Sequence, residues 1–444
     1  MAYDIPVIIL HGWSDTSASF VPLGNFLRAN GFNVVDIWLG DYLSMNDEIT
    51  LFDLGTAFGR ALDKNAIPQK RYSFDLIVHS TGGLVAREYL RQVCAGDATK
   101  TPVKHLCMLS PANFGSPLAA LGKTMLGRLL KGWDWNHFGQ TGTQILNALD
   151  LAAPYSWELA LADLFNPQFK IFTPANALTT VFVGTVAYDN PIRSAVHENG
   201  SDGTVRVATA NLNAHAFSVD FADPQKPVVR ARPKNFDPIA FAVFPRNHTT
   251  VHDPAQPDPN GDWTKTLIKA LTIEPGDYGN HLADCQRITS STFQNGLTSD
   301  HPEWFNQYEH VVFHVHDQYG SPITDYMVEF YQEEGDPKDK VFNEIHGDIL
   351  EKVTTNKQDG SFRSFFLNTD RLTAYLATQD GADIQMSFSA ANVSERIIYR
   401  NPTAGIDVFT TENQALLFPN EPVLIDVTLY RDQTDEVFKL GKLP

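Results

Sequence analysis

Between residues 1 and about 115, short apolar runs alternate with amphipathic stretches of helical period. Val7 to Leu10 and Phe32 to Trp38 read as strands. Thr50 with Asp53 three residues on marks a helix start, and Leu51, Leu54, Phe58 and Leu62 then share one face. Phe74 to Val78 is a further strand, followed by Ala86, Tyr89, Leu90 and Val93 at i, i+3, i+4 and i+7, and then by Val103 to Leu109. Strands that alternate with helices in this way predict an α/β layer architecture with a mostly parallel sheet. From 116 to 170 the pattern turns mostly helical, with Leu118, Leu121, Met125 and Leu129 along one stripe and Trp133, Trp135, Phe138 and Trp157 nearby. Thr179 to Val186 and Pro238 to Phe244 resume the sheet, and a helix around Trp263 to Leu271 ends it.

After about residue 306 the period becomes 2: Val311/Phe313/Val315, Tyr326/Val328/Phe330, Ile384/Met386/Phe388 and Val423/Ile425/Val427/Leu429. That pattern predicts an all-β, antiparallel, immunoglobulin-like sandwich. The expected domains are 1–275 with the helical insertion at 116–170, a linker and irregular segment at 276–305, and the sandwich at 306–444. The length of 444 residues agrees, since one domain usually takes ~100–200.

Charge narrows the partners. Lys and Arg total 34 against 52 Asp and Glu, a formal −18 that repels nucleic acid and anionic bilayers. No run approaches the ~18 apolar residues of a spanning helix. Cys94, Cys107 and Cys285 are too few for a disulfide scaffold and show no zinc spacing. The N-terminus carries no basic region before its apolar run, so the expectation is a cytoplasmic protein, or a prokaryotic protein exported with its leader missing here. Glycosylated secretion is disfavoured, because two of the three N-x-S/T matches (Asn199, Asn247, Asn392) adjoin candidate site residues.

Four segments carry candidate chemistry. Val78-His79-Ser80-Thr81-Gly82-Gly83 sits where a buried strand ends and a helix begins, the setting of a nucleophile elbow; Val78 replaces the first glycine of G-x-S-x-G. An N-cap role for Ser80 is the bland alternative. His11-Gly12-Trp13 follows the first strand, so the N–H groups of Trp13 and Thr81 are candidate oxyanion donors. Gly200-Ser201-Asp202-Gly203 offers Asp202 to orient an imidazole, with Asp189 and Asp220 as fallbacks. His248, in the segment from Phe244 to His252, is the candidate base, with His252 as competitor. Ser14 and Ser116 lie off any elbow. No metal or cofactor is expected: Asp258, Asn260 and Asp262 fit a helix cap better than a calcium loop, and His314 with His316 share a strand face but show no third ligand.

On HGW at 11–13, HSTGGLVAR at 79–87, SPANFGSP at 110–117, SDGTV at 201–205 and NHTTVH at 247–252, the chain resembles the α/β-hydrolase bacterial lipase/esterase group over about residues 5–272. The resemblance implies an α/β-hydrolase fold, with Ser80 as nucleophile, Asp202 as orienting acid, His248 as base and Trp13 with Thr81 in the oxyanion hole. It implies a lid after Ser116, with Leu118, Met125, Leu129, Trp133, Trp135, Phe138 and Trp157 over an acyl pocket. Substrates would be small-molecule, lipid or polymer acyl esters, with phospholipid next in line, and the sandwich would bind a surface or pack as a cap. The rival from another class is a catalytically silent scaffold whose sandwich binds a partner.

Overall fold

Six strands form a parallel sheet in the order β2-β1-β3-β4-β5-β8: β1 (Tyr3–Leu10), β2 (Phe32–Val35), β3 (Phe74–His79), β4 (Val103–Leu109), β5 (Leu178–Gly184) and β8 (Ala240–Phe244). They belong to a computed structural model that describes residues 3–12, 17–35, 48–121, 142–189, 194, 197–332, 344–378, 384–392, 394–409, 417–434 and 437; counts below refer to these. β3, β4, β5 and β8 are buried along almost their whole length, which is why they read as unbroken apolar runs rather than alternations. Helices α1 (Val21–Ala29), α2 (Leu51–Lys64) and α3 (Gly82–Cys94) follow β1, β2 and β3. The predicted cap of α2 is present: Thr50 Oγ1 accepts the Asp53 N–H while Asp53 accepts the Thr50 N–H, and Leu51, Leu54, Phe58 and Leu62 are all buried.

The sheet unit comprises 1–214 and 233–307. Where an irregular segment was expected at 276–305, the structure has the 19-residue helix Tyr278–Gly296. Its inward face is built from Tyr278, His281, Cys285, Ile288 and Thr292, a face with too few aliphatic side chains to stand out as a stripe. Those polar groups have a purpose. β8 is an edge strand, and Thr289 and Thr292 donate to the Phe241 and Val243 carbonyls at 3.1 and 2.8 Å, while Thr289 Oγ1 accepts the Val243 N–H at 3.1 Å. The helix thereby satisfies backbone groups the edge leaves open. All three cysteines are buried and free.

The second unit comprises 215–232 and 308–444. One sheet runs β11 (Leu350–Thr355), β12 (Phe362–Asn368), β9 (Tyr308–Asp317), β16 (Pro422–Gln433), β6 (His215–Asp220), β7 (Val228–Ala231), with β14 (Ile397–Arg400) also on β16. The other holds β10 (Tyr326–Gln332), β13 (Ile384–Ala390) and β15 (Ile406–Phe409). Phe313, Val315, Val423, Ile425 and Val427 from the first sheet share one core with Val328, Phe330, Met386 and Phe388 from the second, so the two are layers of a sandwich. Two features depart from expectation. β16 lies parallel to both β9 and β6, so the larger sheet is mixed. The hairpin β6–β7 comes from within the stretch 1–275 yet joins this unit, because local patterning does not reveal which sheet a strand will extend.

Candidate active site

β3 ends at His79, and the chain turns at Ser80 with φ of 55°, in the left-handed region that a non-glycine residue enters only at a cost. The turn is held from both sides: Ser80 N–H donates to Leu109 C=O at 3.1 Å, and Ser80 C=O accepts from Gly83 and Ala112. α3 starts two residues on, so Ser80 stands at the strand-to-helix elbow and does not cap the helix through its side chain. Val78, which stands where the motif has glycine, is fully buried between β1 and β4. Close approach is provided instead by Gly82 and Gly83. A Cβ on Gly82 would sit 2.9 Å from the Leu10 carbonyl oxygen, and one on Gly83 would sit 2.7 Å from Pro111 Cβ. The His11-Gly12 loop presses on the elbow as well, since a Cβ on Gly12 would lie 2.5 Å from Ser80 Cβ.

The Thr81 N–H has no acceptor among the described residues. Among those residues it is an unshared donor one residue beyond Ser80, at the positive end of a 13-residue helix. Trp13, the expected second oxyanion donor, lies outside the described residues, as does Ser14.

Asp202 is fully buried on a tight loop in which its own N–H bonds the Val205 carbonyl. Its Oδ1 accepts the Thr204 and Val205 N–H groups at 2.9 and 2.7 Å, and its Oδ2 accepts His248 Nδ1–H at 2.8 Å. The His248 N–H also donates to the Asp202 carbonyl at 2.9 Å, so backbone and side chain are fixed by the same residue. With Nδ1 protonated against a carboxylate, Nε2 carries the lone pair. That is the tautomer a general base needs.

His79 links this pair to the elbow. Its Nε2–H donates to the His248 carbonyl at 3.0 Å, and the two rings lie 4.6 Å apart. Burial, reinforced by the neighbouring imidazoles of His248 and His252, holds His79 well below its usual pKa, so it stays a neutral donor. The Asp202-bound imidazole is thus packed against the residue that precedes Ser80. Ser80 Oγ and His248 share no hydrogen bond among the described contacts. In sites of this kind that bond is often long until substrate is bound.

The competitor His252 stacks on Phe20 at 4.3 Å and meets His79 edge-on at 5.0 Å. It belongs to the same cluster, while the bond to the Asp202 carboxylate is made by His248. Asp189 is exposed and Asp220 lies in β6 of the other unit, so neither fallback has the place that Asp202 holds. Ser116 Oγ is spent on the Thr204 carbonyl. Asp258 accepts the Trp263 and Thr264 N–H groups, the helix cap predicted for it. Sequence reasoning missed His79, Phe20 and the steric role of Gly12, which become visible only when β1, β3 and the 248–252 loop meet.

Of the expected lid residues, Leu118 and Trp157 are buried, while Met125, Leu129, Trp133, Trp135 and Phe138 lie outside the described residues. Trp157 sits on the helix Pro154–Asp163, which is tied to α3 by a buried two-pronged Arg87–Asp163 ion pair at 2.8 and 3.0 Å. The insertion is therefore anchored to the helix that the elbow opens.

One glycine tests how tightly the acid and base loops are joined. A Cβ on Gly184, at the end of β5, would overlap the Arg246 carbonyl and reach 3.0 Å from Asp202 Cβ. Gly184→Ala is expected to lower stability by roughly 3 kcal/mol, the upper part of the overpacking range, read as a lower midpoint in denaturant unfolding. An unchanged midpoint would show that the loops yield freely.

No protein-family model and no curated protein matches the sequence. Among solved structures, the phospholipase PlaB from Legionella pneumophila superposes with a TM-score of 0.81 at 22% identity, over 99% of this chain and 96% of that one. The phospholipase PlaB from Legionella pneumophila in complex with thio-NAD gives a TM-score of 0.80 with the same identity and coverage. The likeness runs through both units, so what it identifies is the architecture: this chain has an α/β-hydrolase fold continued by a mostly-β sandwich unit.

Proposed function

We propose that the chain is a serine carboxylic-ester hydrolase acting on acyl esters of lipids, with Ser80 as nucleophile, His248 as general base and Asp202 as orienting acid. The observation that carries this is the Asp202–His248 pair, buried and doubly bonded, held by His79 beside the strained Ser80 turn. Ser80 Oγ attacks the ester carbonyl carbon as its proton passes to His248 Nε2, and the carbonyl π bond opens to an oxyanion. The Thr81 N–H, with that of Trp13 as the second donor expected from the sequence, stabilises this charge. As the tetrahedral intermediate collapses, the C–O bond to the alcohol breaks and His248 returns the proton to the leaving oxygen. Water then repeats the sequence on the acyl-enzyme and releases the acid.

Within this class a glycerophospholipid is the favoured substrate, because the full-length likeness is to a phospholipase. A zwitterionic head group also suits a chain of formal charge −18, which would repel an anionic surface. The helical insertion anchored on α3 is the candidate wall of the acyl pocket, with Leu118 and Trp157 its described members.

The experiment combines a fluorophosphonate label, located by mass spectrometry, with fatty-acid release from phosphatidylcholine, phosphatidylglycerol and triacylglycerol dispersions and a p-nitrophenyl ester series. The expected result is label on Ser80, release from phosphatidylcholine above the other two, and loss of label and turnover in Ser80→Ala. A wild-type protein that neither takes the label nor turns over any ester would sink the catalytic proposal and leave a silent scaffold.

A further inference from the structure

Alternation along β9 sends Phe313 and Val315 into the sandwich core and sets His314 and His316 together on the opposite face. β16 runs parallel beside it with Asp426 in register with His314, so the carboxylate that is remote in sequence falls on the same face. His314 Nδ1 lies 3.0 Å and His316 Nε2 3.2 Å from the same oxygen, Asp426 Oδ1, and the three ligand atoms lie within 4.8 Å of one another. This is the third group that the sequence did not show beside the His314/His316 pair.

We propose that His314, His316 and Asp426 form a binding site for a divalent first-row transition-metal ion of the zinc type, clamping β9 to β16. The protonation geometry supports this. His316 Nδ1 lies 2.9 Å from the Asp317 carbonyl oxygen, which can only accept, so the hydrogen is on Nδ1. A neutral ring then points its Nε2 lone pair at Asp426 Oδ1, and two lone pairs 3.2 Å apart require positive charge between them. A second proton would serve; the donor set and its spacing also suit a metal. The Nδ1–H to carbonyl bond is the outer-shell contact that fixes a metal-binding imidazole. Two imidazoles and a carboxylate are a donor set zinc accepts, and tetrahedral bonds of ~2.0–2.1 Å put its ligand atoms roughly 3.3 Å apart, a few tenths of an ångström beyond the N···O distances here. The Phe362 ring lies against His314 at 4.1 Å and 13°, a dry wall on one side.

Charge agrees with the geometry. Arg232 Nη2 lies 3.3 Å from the other carboxylate oxygen, Oδ2, and leaves Oδ1 to the imidazoles, while the Asp317 carboxylate adds negative charge near His316. The side chains are about a fifth exposed, open enough for an ion to enter, and a fourth position is left to water.

The test uses the full chain, stripped with chelator and dialysed, titrated with Co²⁺ by visible d–d absorption and then with Zn²⁺ by displacement and by thermal unfolding. One equivalent is expected to bind and to raise Tm. His314→Ala with His316→Ala, and separately Asp426→Asn, should abolish the spectrum and the Tm rise with circular dichroism unchanged. Arg232→Ala, which removes a repelling cation, should bind several-fold more tightly; it keeps all three ligands and reports even if the histidine variants misfold. Absence of binding in both wild type and Arg232→Ala overturns the proposal. So does a spectrum that survives His314→Ala with His316→Ala but is lost in His248→Ala, because the imidazole cluster beside Ser80 would then be the binder.

Discussion

Asp202→Asn is expected to lower kcat on short-chain p-nitrophenyl esters by ~10⁴-fold without unfolding the protein. The structure dictates how the amide must sit. Oδ1 accepts two backbone N–H bonds, from Thr204 and Val205, so only the amide oxygen can occupy that place. The NH₂ group is then forced into the position of Oδ2, facing His248 Nδ1. It can only donate, so His248 must take the tautomer with its hydrogen on Nε2, and a protonated Nε2 cannot accept the proton of Ser80 Oγ. Size and hydrogen-bond count are preserved, which is why fold and substrate affinity should survive while kcat falls. His252→Ala provides the contrast: that ring packs on Phe20 and His79, while the Asp202 oxygen Oδ2 is engaged by His248, so a loss of less than about 100-fold is expected, a positioning effect. If Asp202→Asn retained near-wild-type kcat, or if His252→Ala proved the more damaging, the assignment of acid and base would fall.

That contrast also marks what the sequence could carry. The Ser80 elbow was legible because its signal is local: a buried run, a serine, two glycines and a helix within a dozen residues. Asp202 and His248 were legible only as candidates, since choosing His248 over a histidine four residues on depends on a hydrogen bond across 46 positions. Strands that read clearly were those whose apolar side faces one core, as in β9 and β16. The hairpin β6–β7 was missed as part of the second unit because β7 is exposed throughout and β6 alternates weakly, leaving nothing to say which sheet they extend. The helix Tyr278–Gly296 was missed because its inner face mixes threonines bonded to an edge strand with few aliphatics, so no apolar stripe stands out. The carboxylate beside His314 and His316 was missed for a related reason: Asp426 arrives by strand register, and register between distant strands is written in no local pattern.

Gly12→Ala is expected to reduce kcat by at least about 100-fold, the cost of misplacing a reacting group by roughly 1 Å. The added methyl would lie 2.5 Å from Ser80 Cβ, 2.8 Å from the His79 carbonyl oxygen and 3.2 Å from Ser80 Oγ. None of the three is the loose end of a flexible side chain. β1 and β3 are adjacent strands, with Leu10 in register with Val78, so the loop and the elbow spring from positions the sheet holds at fixed separation. Ser80 is already in left-handed backbone geometry and cannot swing away without breaking its bonds to Leu109, Gly83 and Ala112. What moves is therefore the His11-Gly12 segment or the nucleophile, and in either case the Thr81 N–H and the attacking oxygen lose their common target. Gly279→Ala is the matched control, because a Cβ there meets nothing within 4 Å and the position opens a helix. Alanine should leave kcat unchanged and raise stability by about 0.5–1 kcal/mol. Because Gly12→Ala acts on alignment rather than on the acid–base pair, fluorophosphonate labelling of Ser80 should slow in proportion to kcat while thermal stability falls only modestly. Equal labelling rates in Gly12→Ala and wild type would show that the loop does not control the nucleophile.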